Sequence, residues 1–190
     1  MLTNRSPATE PAKDHRSELT VDWSSLGVGV VAAALVLGVD RPIGATLALP
    51  LIGAALLAGG DQRTGRIPNR HSSAVFVATM LATAIGSVGF DTGSVTGAIA
   101  GAAMWAVPLF VMAVIGSFGG GDFKLAASLG AMCGWISIPT AAAGLVAALV
   151  ACCIAGVIVA WRARTMNTPL RLGLPLYVGT VATLLFSAAS

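Results

Sequence analysis

Charge is scarce in this chain of 190 residues: Asp, Glu, Lys and Arg make up only 10% of it, where a soluble globular domain carries about 25%. Hydrophobic residues make up 56% and mean hydropathy is +0.85, so water is not the solvent for most of this surface. Histidine occurs twice, as His15 and His71, and no H-E-x-x-H is present, which removes the common zinc-peptidase pattern. The three cysteines, Cys133, Cys152 and Cys153, lie in apolar stretches without a C-x-x-C pair. They support neither a zinc site nor a disulfide framework and read as small buried apolar side chains. No G-x-x-x-x-G-K-[ST] phosphate cradle occurs. No metal or cofactor is expected. The net charge of +3 and pI near 9.1 are those of many nucleic-acid binders, but the basic residues are scattered through short connections, so no nucleic-acid partner is expected.

What the chain does have is long apolar runs. Nothing in hydrocarbon satisfies open backbone groups, so a crossing takes a helix of roughly 20 mostly apolar residues. The runs are Ser25–Val39, Ile43–Gly60, Ser72–Gly89, Val95–Phe118, Phe123–Trp135, Ile138–Trp161 and Leu174–Ala188. They predict an all-α polytopic transmembrane bundle of six to seven helices. The fifth run is short for a crossing and is expected to start at the interface or pack at half depth. Gly and Ala recur within the runs, as close helix packing in lipid requires. Residues 1–23 are polar, mixed in charge and interrupted by Pro7 and Pro11, and read as a disordered cytosolic tail rather than a signal peptide. Residues 24–190 form one membrane domain.

The connections fix an orientation. With seven spans and a cytosolic amino terminus, the inner segments hold Arg5, Lys13, Arg16, Arg63, Arg66, Arg70, Lys124, Arg162, Arg164 and Arg171, leaving only Arg41 outside. This satisfies the positive-inside rule. The inner arginines are expected to set topology and to meet anionic lipid headgroups.

Beyond the tail only four acids remain: Asp40, Asp61, Asp91 and Asp122. The topology puts Asp40 and Asp91 outside, and Asp61 and Asp122 together at the cytosolic ends of apolar segments. A carboxylate within a spanning helix costs about 2.5–3.5 kcal/mol on insertion scales, and such residues are usually functional. Asp61 opens Asp61-Gln62-Arg63-Thr64-Gly65-Arg66-Ile67-Pro68-Asn69, and Asp122 follows Gly119-Gly120-Gly121 and precedes Phe123-Lys124-Leu125. Glycines before an acid allow a substrate backbone to approach and tolerate unusual dihedrals.

The run Gly119-Gly120-Gly121-Asp122-Phe123-Lys124-Leu125 resembles the G-x-G-D-x-K-L signature of the prepilin peptidases, the type 4 leader peptidases. Asp61 with Ile67-Pro68-Asn69 resembles the same family's first aspartate motif, and Pro175-Leu176-Tyr177 is a weaker echo. With 23 glycines in the chain, G-x-G-D alone arises by chance about 0.1 times, but the Lys-Leu that follows and the separate Asp61 motif sharpen the signal. The resemblance implies a membrane aspartic endopeptidase of the bacterial inner membrane, with Asp61 and Asp122 as catalytic pair. Its substrate would be a type IV pilin-like or pseudopilin precursor, cut at the cytosolic face. Gly119, Gly121, Lys124 and Arg63 are candidate substrate-binding residues, and either basic side chain is a candidate partner for a glutamate in the mature part of the substrate. Larger family members carry a cysteine-rich cytosolic loop and a methyltransferase activity. No cysteine precedes Cys133, so the likeness is to the short, peptidase-only form.

Three other readings are weaker. Presenilin-like proteases pair Tyr-Asp with Pro-Ala-Leu, but the single tyrosine here, Tyr177, is not followed by Asp and no Pro-Ala-Leu occurs. Lys124 and Ser128 share a helical face at a spacing that chance often produces. A transporter would place acids near the midplane or show an internal repeat at its site, and neither is found.

Overall fold

The computed structural model describes residues 23–64, 67, 69–89, 93–114, 121–163 and 171–189. All seven of its elements are helices: α1 (Trp23–Val39), α2 (Arg41–Thr64), α3 (Asn69–Gly89), α4 (Val95–Val114), α5 (Asp122–Ile136), α6 (Ile138–Ala163) and α7 (Gly173–Ala189). Each matches one apolar run of the sequence. Four of them, α2, α3, α4 and α6, are long and apolar enough to cross a membrane, while α1 and α7 are shorter apolar helices. Large apolar side chains such as Leu81, Phe110, Val157 and Trp161 face outward, as lipid requires. The sequence positions 1–22 and Asp91 lie outside the described residues.

The short fifth run becomes the centre of the bundle. Every residue from Leu125 to Trp135 is buried, because α5 is wrapped by α2, α3, α4, α6 and α7. Its 15 residues span about 22 Å, against a hydrocarbon core of about 30 Å. A helix enclosed on all sides need not reach both surfaces, since protein rather than lipid covers its ends. α6 begins one residue after α5 stops and has 26 residues, so α5 falls roughly 16 Å short of its neighbour's length. Asp122 is the first residue of α5.

Helices in lipid gain little from burying apolar surface against each other, so close approach and hydrogen bonds must hold them. The α4–α5 crossing uses Gly97, Gly101, Gly130 and Gly134: a Cβ on any of them would strike the facing helix's backbone, Gly101 and Gly130 each meeting the other's carbonyl. Trp105 Nε1 donates to the Ala141 carbonyl at 2.9 Å, joining α4 to α6, and Trp135 Nε1 donates to Ser87 Oγ at 2.8 Å, joining α5 to α3. Gly93, with φ of 73°, packs on Trp135 where a side chain would not fit. Substituting Gly130→Ala should destabilise the bundle by about 1–3 kcal/mol, because the new methyl would meet both the Gly101 carbonyl and the Trp105 ring. Gly27→Ala, with nothing within 4 Å of the added carbon, should be neutral or stabilising. Thermal unfolding of the two variants in detergent checks the contrast; equal midpoints would contradict it.

Asp40 is the sole residue between α1 and α2, and it caps α2: the Ile43 N–H donates to Asp40 Oδ1 at 3.2 Å. Of the cysteines, Cys133 is buried as expected, but Cys153 is exposed on α6. In this bundle an exposed thiol still sits in apolar surroundings, which is why the sequence pattern did not separate it from Cys133.

Candidate active site

Two short motifs meet at one end of the bundle. α2 ends there and α5 begins there, so the carboxylates of the last α2 turn and the first α5 turn share that end. The two motifs touch through Ile67 and Gly121. Gly121, which precedes Asp122, packs so closely on Ile67 that a Cβ would lie 2.5 Å from the Ile67 carbonyl oxygen and 2.6 Å from its Cβ. Ile67 is itself buried. Ile67, which follows Asp61, and Gly121, which precedes Asp122, are therefore in close contact.

This contact assigns Gly121 a purpose different from unusual dihedrals. Its φ and ψ are −79° and −33°, which any residue adopts. Glycine is needed because Ile67 occupies the space of a side chain. Gly119, the other glycine of the signature expected to face substrate, lies outside the described residues.

Asp61 is buried, with 5% of its surface exposed. It stands in the last turn of α2, where the helix presents the negative end of its dipole and a carboxylate is poorly placed. The compensation comes from the other end of the chain. Gly173 N–H donates to Asp61 Oδ2 at 3.1 Å. Gly173 is the first residue of α7, so its N–H is one of the four that a helix start leaves without an internal partner. Leu172, whose carbonyl accepts the first α7 bond from Leu176 N–H, has no side-chain oxygen to serve as a cap. Asp61 caps α7 from a neighbouring helix, and the positive end of the α7 dipole faces its carboxylate. Gln62 Nε2 reaches the Arg171 carbonyl at 3.4 Å, a second, longer tie between the same segments. Glycine at 173 also suits the crowding: a Cβ would sit 3.1 Å from Ala58 Cα and 3.2 Å from both Asp61 Cβ and Oδ2.

Asp122 opens α5 and is half-buried. A carboxylate at a helix start is favoured by the dipole, so its location on α5 is the reverse of Asp61's on α2. Lys124 is half-buried in the same turn, and its Nζ lies 3.4 Å from Ser73 Oγ of α3, a long contact. Arg63 is exposed in the last turn of α2. Ser128 donates to the Lys124 carbonyl at 3.1 Å, so its hydroxyl is turned onto the backbone and away from the Lys124 amine. Among the described residues no group of three or more metal-ligating side chains is found.

Sequence reasoning missed the Gly173 amide and the packing role of Ile67. The first had a faint signal, a glycine directly ahead of an apolar run. The second was visible only as part of a motif, with no hint of what it touches.

A family model described as the type IV leader peptidase family matches residues 47–160. The matched stretch runs from α2 into α6 and contains both acidic motifs, whereas Gly173 lies beyond it. No curated protein and no solved structure gives a significant match.

Proposed function

The chain belongs to the type IV leader peptidase family, and from that premise we propose that it is an aspartic endopeptidase with Asp61 and Asp122 as its catalytic pair. It removes the leader from type IV pilin-like or pseudopilin precursors at the cytosolic face of the bacterial inner membrane, with its amino terminus cytosolic and without a methyltransferase activity. The observation that carries this reading is the seating of Gly121 on Ile67, which brings the two aspartate motifs together at one end of the bundle.

The chemistry follows from two carboxyl groups sharing a site. Like charges at short range disfavour double ionisation, so the pair holds one proton between them. The ionised member takes a proton from the attacking water, and the protonated member hydrogen-bonds the scissile carbonyl as it becomes tetrahedral. The Gly173 amide supports this reading because it holds one carboxylate in a fixed orientation, and pre-set geometry is a large part of catalysis.

The test is co-expression with a pilin precursor, followed by mapping of the new amino terminus by mass spectrometry. The unaltered protein should shorten the precursor, and Asp61→Ala and Asp122→Ala should each leave it intact. Cleavage retained in either variant would exclude that residue from the pair.

Lys124 is the basic residue of the Asp122 turn and is assigned to the glutamate near the start of the mature substrate, with Arg63 as the alternative; Gly119 is assigned to the substrate backbone, while the space at Gly121 is taken by Ile67. Lys124→Glu should slow cleavage about tenfold, the scale of a charge-assisted contact, and a Glu→Lys precursor should restore it. Absence of rescue for either basic residue removes this pairing.

A further inference from the structure

Among the described residues, one fully covered side-chain polar atom has no hydrogen-bond partner: the Tyr177 hydroxyl. The residue is 2% exposed. An unsatisfied buried hydroxyl is unfavourable, and native proteins seldom keep one without a use. Phenylalanine would fill the same space without that penalty.

Its location indicates the use. Tyr177 lies four residues, about one turn, after Gly173 and so shares its face of α7. That face is the one Gly173 turns toward Ala58 and Asp61. Thr180, next along the same face, is engaged with the Leu176 carbonyl at 2.8 Å. Tyr177 thus lies one turn of α7 beyond the Gly173 amide that holds Asp61.

We propose that Tyr177 is a substrate-binding residue of this site, its hydroxyl forming a hydrogen bond with the peptide backbone on the membrane side of the scissile bond. The inference rests on the proposed function and extends it to a residue beyond both aspartate motifs. A peptide cut next to its spanning helix must be extended at the cut, and its freed N–H and C=O groups then have no water to turn to. A phenol both donates and accepts, so it serves either group. The oxygen is covered in the structure, and the peptide reaches it by displacing apolar neighbours rather than through a standing opening.

The experiment uses the full chain in lipid vesicles with a purified pilin-type precursor. Tyr177→Phe should unfold at the same temperature as the unaltered protein or higher, while kcat/KM falls about tenfold, mainly through KM. On an Asp122→Asn background, where precursor binds without being cut, adding Tyr177→Phe should weaken binding by a similar factor. Unchanged KM and binding would overturn the inference, and so would a lowered unfolding temperature, because the hydroxyl would then be satisfied within the fold. If the unaltered, folded protein cuts no precursor, the proposed function falls and takes this inference with it; cleavage by the unaltered protein with an indifferent Tyr177→Phe sinks the inference alone.

Discussion

Asp61→Asn should give a folded protein whose rate of precursor cleavage is lower by about 10³-fold or more, the scale of losing an acid–base group. The substitution separates the cap that Asp61 provides from the acid–base role proposed for it. Asp61 caps α7 by accepting the Gly173 N–H, and an asparagine oxygen can accept the same bond. What asparagine cannot do is serve as either proton acceptor or proton donor of an aspartic pair. Asp61→Ala removes both functions, so it should also lose about 0.5–2 kcal/mol of stability through the missing cap. Cleavage assays and thermal unfolding on both variants distinguish the roles. An asparagine variant as active as the unaltered protein would show that Asp61 is a structural cap, and the aspartic mechanism would be lost.

The second large effect is expected at Gly173, which takes no part in the reaction. A Cβ there meets Ala58 Cα at 3.1 Å and Asp61 at 3.2 Å, so Gly173→Ala requires the start of α7 or the carboxylate to give by a few tenths of an ångström. Gly173→Val adds two further carbons in the same gap. The α7 start must then withdraw from α2, and the Gly173 N–H no longer reaches Oδ2. A misplacement of about 1 Å at a reacting group can cost about 10²-fold in rate, and a loss of that order is expected for valine, with a smaller one for alanine. A graded fall in cleavage from glycine to alanine to valine, in protein that still unfolds cooperatively, is the expected result. Full activity in the valine variant would mean that the amide has no part in orienting the carboxylate.

Much of this arrangement is readable in the sequence. All seven apolar runs correspond to helices because hydrocarbon leaves the backbone no alternative. The family likeness rested on residues close together in sequence, and the match over residues 47–160 agrees with it. The end of α2 was less legible. Gly59-Gly60 closes the apolar run, yet the helix continues to Thr64. Its last turn carries Asp61 and Gln62, which are tied to residues 171–173, and no local pattern announces ties that span more than a hundred positions. The fifth run was also ambiguous on length alone. Its burial on every side depends on five neighbouring helices, which a hydropathy pattern does not distinguish from contact with lipid.

The chain's composition and its two short motifs alone determined a helical membrane protein and singled out the acids worth attention. Those are local properties: solvent preference is set residue by residue, and a motif is a few neighbours in a row. Only the folded bundle decided that Ile67 would fill the space beside Gly121, that α7 would begin against Asp61, and that Tyr177 would be left without a partner. Each of these depends on which helix faces which. In lipid, that choice is made by close backbone approach and by hydrogen bonds between distant segments.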